Sequence, residues 1–153
     1  MRTVVTDYKS LLPRLDEAID RGTAEAIALS DDLAAHPEIS EQEHRTSKIH
    51  AEYLRKAGFQ VEYPFFGIPT AYNARIDAGS NGRVCLMAEY DALPVIGHAC
   101  GHNVHGAMSL LAGAALAPLM KELGGDLFVT GTPAEETNGA KISMSSKGFF
   151  DDK

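Results

Sequence analysis

At 153 residues and 44% hydrophobic composition, the chain has the length of one ordinary domain and enough apolar content for a single core. A formal charge of −7, with no basic stripe to offset it, repels phosphate backbones and anionic lipid, so neither nucleic-acid nor membrane-surface binding is expected. Residues 1–7 hold no apolar signal-peptide core and no run approaches the roughly 20 apolar residues that cross a bilayer, which predicts a cytoplasmic protein.

Helical spacing opens the chain. Leu11, Leu12, Leu15 and Ile19 recur at that period until Arg21-Gly22 supplies a stop. A second helix is expected over 23–35, ending at His36-Pro37 because the residue before proline disfavours the α region. Ser40 and Glu43 form a capping-box signature for a third helix that runs through Leu54 and closes at Gly58. Short β-type runs follow over 59–63, 70–76 and 84–88, and the last two are expected to be hairpin neighbours across a turn at 78–82. Residues 104–123 are apolar nearly all round and predict a buried helix, broken by Ser109 and Pro118 and not a membrane span. After Gly124-Gly125, residues 126–130 read as a buried strand and 140–147 as a short helix. There is no internal repeat or linker. The fold class is therefore α/β, with a mixed, mainly parallel sheet flanked by helices and a βαβ-like unit around the long helix.

In such sheets reactive groups collect beyond the carboxyl ends of the strands, and two suspicious segments sit there. One is His98-Ala99-Cys100-Gly101-His102-Asn103, after the strand at 84–88; the other is Glu135-Glu136, after the strand at 126–130. Cys100 offers a thiolate, His102 an imidazole nitrogen and Glu136 a carboxylate, the mixed donor set that zinc and neighbouring divalent ions accept. Cys100 and His102 would share a face if the loop is extended, Gly101 permits close backbone approach, and Asn103 suits the N-cap of the long helix. Taken singly, Cys100 reads as a buried thiol, His102 as a satisfied polar residue and the glutamate pair as a solvated turn. Together with His98 and His105 they place four possible ligands in positions 98–105 of a chain with six histidines, which favours metal binding. His98 and His105 are expected to be structural or supporting groups, and His36, His44 and His50 solvent-exposed residues of the N-terminal helices. Cys85, inside Val84-Cys85-Leu86-Met87, reads as an inert buried thiol. Of the adjacent carboxylates, Glu136 is expected to bind metal and Glu135 to act as base, taking a proton from a metal-activated water. A cysteine-nucleophile enzyme using Cys100 and His102 is a weaker third reading.

Three segments carry a specific resemblance: Ala88-Glu89-Tyr90-Asp91-Ala92-Leu93-Pro94, Gly97-His98-Ala99-Cys100-Gly101-His102-Asn103 and Gly131-Thr132-Pro133-Ala134-Glu135-Glu136. In this order they resemble the amidohydrolase branch of the aminoacylase and carboxypeptidase metallopeptidases, with aminobenzoyl-glutamate hydrolases and acyl-amino-acid or dipeptide hydrolases as the nearest types. His36-Pro37-Glu38 and Glu43 also resemble the branch's helical N-terminal region. The resemblance implies hydrolysis of amide bonds in small N-acyl or aminoacyl amino acids with divalent metal, zinc or manganese, two ions in the complete fold. It implies Cys100, His102 and Glu136 as metal ligands, Glu135 as general base and Asp91 as a carboxylate supporting the metals. Glu89 stands where other branches place a ligand, a duty the Cys-x-His loop is expected to take here; the branch more often has aspartate at Asn103. Family members are several hundred residues long, with further histidine ligands and a dimerisation domain beyond the glutamate pair. Residues 1–153 are therefore expected to be the N-terminal portion of a catalytic domain that forms a homo-oligomer or associates with the remaining part. The alternative is a catalytically incompetent piece that binds metal or a partner chain.

Overall fold

The computed structural model describes residues 8–79 and 81–151. Residues 1–7, on which the absence of a signal peptide was read, lie outside the described residues, as does Ser80 of the expected turn.

The first helix, α1 (Leu12–Ala35), is continuous, preceded by a 3-10 turn at Tyr8–Leu11. The expected stop at Arg21-Gly22 is absent. Gly22 instead lets α1 lie close to the long helix: a Cβ there would sit 2.5 Å from Leu111 Cδ1. α2 (His44–Lys56) begins without the expected capping box, since neither Ser40 nor Glu43 caps its first turn. Glu38 does that work, its two carboxylate oxygens accepting the N–H groups of Arg45 and Thr46 at 2.9 and 2.7 Å. The helix ends as expected before Gly58, whose positive φ of 92° suits a C-terminal turn.

Four strands follow, β1 (Gln60–Glu62), β2 (Tyr72–Ile76), β3 (Arg83–Ala88) and β4 (Asp126–Gly131), in the spatial order β1-β2-β4-β3. The mixed α/β architecture matches expectation. Its parallel character is confined to β3 and β4, while β1 with β2 and β2 with β4 are antiparallel. β2 and β3 are not hairpin neighbours, because β4 returns through the long helix and inserts between them. Asp126 holds the displaced connection, its Oδ1 accepting the N–H groups of Ala78 and Gly79.

The β3-to-β4 crossover contains α3 (His102–Leu116), a 3-10 turn at Ala117–Leu119 around Pro118, and α4 (Met120–Leu123). By length and composition alone the stretch His102–Leu123 could cross a membrane. In this fold α3 lies against α1 on one side and against β3 and β4 on the other. The main core joins Ala51 and Leu54 of α2, Leu110 of α3 and Tyr72, Ala74, Leu127 and Val129 of the sheet. A smaller cluster around Ala71 and Met144 seats the last helix, α5 (Ala140–Ser146).

Two polar residues are placed otherwise than the sequence suggested. Asn103 does not cap α3; the cap is Gly101 at φ 81°, and Asn103 Nδ2 donates to Ser30 Oγ at 2.9 Å, tying α3 to α1. His50 is fully buried rather than solvent-exposed, with Nδ1 3.1 Å from the Tyr72 hydroxyl. His36 and His44 are exposed as expected, and Cys85 is half-buried, with Sγ 3.4 Å from Thr130 Oγ1.

Gly106 of α3 is where His50 and the site meet. A Cβ there would lie 2.8 Å from both the Glu89 carbonyl oxygen and His50 Cε1. Backbone cannot yield as a side chain can, so Gly106→Ala is expected to destabilise the fold by about 1–3 kcal/mol despite the better helix propensity of alanine. Urea denaturation of the variant checks this; unchanged or increased stability would show that the neighbours yield without cost.

Candidate metal centre

The parallel pair brings the two candidate loops together. Glu89 and Asp91 leave the carboxyl end of β3, Glu135 and Glu136 follow β4, and His102 opens α3 between them. His102 is 7% exposed, and its ring is held from behind: Nδ1 lies 2.9 Å from Asp91 Oδ1. A carboxylate accepts only, so Nδ1 carries a proton and Nε2 is the nitrogen that faces forward. Asp91 is fixed in turn, its Oδ2 accepting the Ser40 hydroxyl at 2.8 Å and the Glu136 N–H at 3.0 Å. Burial works to raise the Asp91 carboxyl, but the Glu136 N–H, the Ser40 hydroxyl and His102 outweigh it and hold it below the usual carboxylate range.

In front of Nε2 stand Glu89 Oε2 at 3.3 Å and single oxygens of Glu135 and Glu136, each at 3.9 Å. The donor atoms of His102, Glu135 and Glu136 lie within 4.8 Å of one another. Three carboxylates converge on His102 Nε2, a concentration of negative charge that a cation would offset. The donor set, one borderline nitrogen with hard oxygens, suits a divalent cation.

Cys100 is outside that cluster. The loop is not extended as expected: residues 99 and 100 form a turn, and Cys100 is exposed. Its thiol still reaches Glu136; a hydrogen bond to that carboxylate, with burial and the charges of Glu136, Glu135 and Asp91, pushes its pKa above the ordinary value. That proton-holding environment disfavours a cysteine nucleophile, which needs a positive setting. His98 and His105 flank the centre. Both ring nitrogens of His98 are buried without a hydrogen-bond partner among the described residues, and burial followed by His102 lowers its pKa. His105 Nδ1 accepts the Glu89 N–H at 3.1 Å, a supporting contact of the kind expected for it.

Two further participants stand at the centre: Glu89, which the sequence reading passed over in favour of the Cys-x-His loop, and Lys141, which it did not single out. Glu89 supplies the carboxylate oxygen nearest to His102 Nε2, and Lys141 of α5 pairs with Glu89 and lies 4.0 Å from Glu135. Glu89 carried a legible signal, a carboxylate just past a strand end two residues before Asp91. Lys141 carried none, because only the chain's return through α5 brings it there.

No protein-family model matches the sequence. Among curated proteins the chain is 35% identical to an Xaa-Arg dipeptidase of Mus musculus over 95% of its own length and 37% of that protein. It is 42% identical to thermostable carboxypeptidase 1 of Saccharolobus solfataricus over 68% of its length and 30% of that protein. To an N-acyl-L-amino acid amidohydrolase of Geobacillus stearothermophilus it is 31% identical over 87% of its length and 40% of that protein. Its fold overlays a dinuclear metal-binding peptidase of the M20 family from Bacillus subtilis at a TM-score of 0.75, with 27% identity, over 84% of this chain and 40% of that one. The chain spans roughly two-fifths or less of the length of these relatives. With the paired loops, the metal-suited donors and these likenesses in agreement, the chain belongs to the M20 family of metallopeptidases and amidohydrolases.

Proposed function

We propose that the protein hydrolyses amide bonds in small dipeptides or N-acyl amino acids at a divalent metal, zinc or manganese, held by His102 and Glu136, with Cys100, whose thiol reaches Glu136 from outside the cluster, as a third ligand once a bound ion displaces its proton. The observation that supports this best is the orientation of His102: Asp91 fixes its tautomer and Nε2 points at the carboxylates beyond β3 and β4. Three protein donors would leave room at a bound ion for water or substrate, as hydrolytic rather than closed structural sites do. The dipeptidase, carboxypeptidase and amidohydrolase among the relatives supply the substrate class.

A bound ion supplies positive charge that polarises the scissile carbonyl and acidifies water. The chain's own groups do the rest. Glu136 is the better-held carboxylate, its N–H fixed on Asp91 and its side chain 22% exposed, which suits a ligand. Glu135 is 38% exposed, more than Glu136, which suits a base that takes a proton at one carboxylate oxygen and hands it to the departing amine. Lys141 neutralises part of the charge on Glu89 and sits beside Glu135.

The reading is tested by titrating the protein with Zn²⁺, Mn²⁺ and Co²⁺ and assaying dipeptides and N-acyl amino acids in each metal-loaded state. Stoichiometric binding with turnover is expected. His102→Ala should weaken binding by more than the roughly 10–100-fold typical of losing a supporting partner. Binding without turnover would assign the chain a metal-binding role only, and no binding would remove the proposal.

A further inference from the structure

The connection between α1 and α2 is polar and short, yet it reaches into both loops of the metal centre. Glu38 O accepts the Ala92 N–H and the Ser40 hydroxyl donates to Asp91, both beyond β3. Glu41 Oε1 accepts from Asn138 Nδ2, and Glu43 Oε1 accepts the Ala134 N–H at 2.8 Å, both beyond β4. Glu43 lies deepest, fully buried and without an ion pair among the described residues; its second oxygen makes no short hydrogen bond there, though the Glu41 and Glu43 N–H groups and the Thr70 hydroxyl stabilise its carboxylate alongside the Ala134 N–H. A carboxyl group in that setting is costly unless a particular contact requires it.

That contact is unusual on the other side too. Ala134 has φ of 60°, the left-handed region, which costs an L-residue with a Cβ roughly 1–2 kcal/mol. It is 6% exposed, and its carbonyl accepts the N–H groups of Thr137 and Gly139, closing the turn that follows. Ala134 is thus the pivot at which β4's exit is redirected, and Glu135 and Glu136 come immediately after it. Its N–H is held by Glu43 alone among the described hydrogen bonds.

We propose that Glu43 is a positioning residue: by clamping the Ala134 N–H it holds the left-handed turn that aims Glu135 and Glu136 at His102. The inference rests on the metal-centre reading given above. Glu43 touches neither metal nor substrate in this scheme; it acts through backbone. What matters is an acceptor oxygen at the right reach, so glutamine replaces it and an apolar side chain of similar length does not.

The experiment compares Glu43→Gln and Glu43→Met in the full chain. Hydrogen exchange of the Ala134 amide is measured without metal, and Co²⁺ affinity is measured by titration. Glu43→Met is expected to lower Ala134 protection and Co²⁺ affinity by about tenfold or more each, while Glu43→Gln keeps both near wild type. If Glu43→Met does not fold, Glu43→Asp, one methylene too short to reach, is expected to show the same two losses. Equal behaviour of the Gln and Met variants, or lost protection with unchanged Co²⁺ affinity, overturns the proposal. Wild-type protein that binds no Co²⁺ defeats the metal centre itself, and the exchange measurement then still decides the clamp.

Discussion

Glu135→Gln is expected to reduce amide hydrolysis by about 10²–10⁴-fold, the usual contribution of a general base, while metal binding persists. The substitution keeps size and shape and removes only the ability to take up a proton. It also removes one of three negative charges facing His102 Nε2, yet the proposed ligands His102, Glu136 and Cys100 stay in place, with Glu89 beside them. Metal titration alongside turnover on a dipeptide or N-acyl amino acid separates the roles. If the variant loses metal along with activity, Glu135 is a ligand and the assignment within the pair reverses. If it keeps full turnover, the base lies elsewhere. Glu136→Gln provides the mirror test, since it should lose metal first.

The largest stability effect is expected from His50. Burial pushes its pKa down from 6.5 to about 3. The unfolded chain therefore binds a proton at this site between those values and the folded chain does not. Stability falls as pH drops below 6.5, and the loss is complete once pH passes below about 3. Each pH unit in that window costs up to about 1.4 kcal/mol, on the order of 5 kcal/mol in all, a large part of what a domain of this size possesses. Burial raises the Glu43 carboxyl, which opposes this trend, but that effect is common to wild type and a His50 variant. His50→Gln should be less stable than wild type near neutrality, since it disturbs the contact with Tyr72 and the edge packing on Tyr90. Its disadvantage should shrink as pH falls from 6.5 towards 3. Parallel stability curves from urea denaturation across that range would show that His50 does not set the acid limit.

Much of the site was legible because its parts are local. Cys100-Gly101-His102 and Glu135-Glu136 announce donor chemistry within a few residues, and each follows an apolar run that became a strand of the parallel pair. Elements were legible for the same reason, apart from punctuation overridden by packing: Gly22 reads as a stop yet serves a close helix contact with Leu111. Pairing was not, because the preference of β2 for β4 over β3 is decided by a chain segment some fifty residues away. His50 illustrates a signal available but unused. Ser47, His50, Ala51 and Leu54 recur at helical spacing on one face, and that face is the buried one. Glu43 fits a capping box locally, and only the distant Ala134 amide claims it for another task.

The α1–α2 connector also bears on how this protein can be engineered. Surface connections rich in glutamate and serine are where affinity tags, fluorescent reporters and circular-permutation breaks are normally tolerated. Here residues 38–43 are a strut pinned by hydrogen bonds to both loops of the candidate metal centre, so lengthening them is expected to loosen both at once.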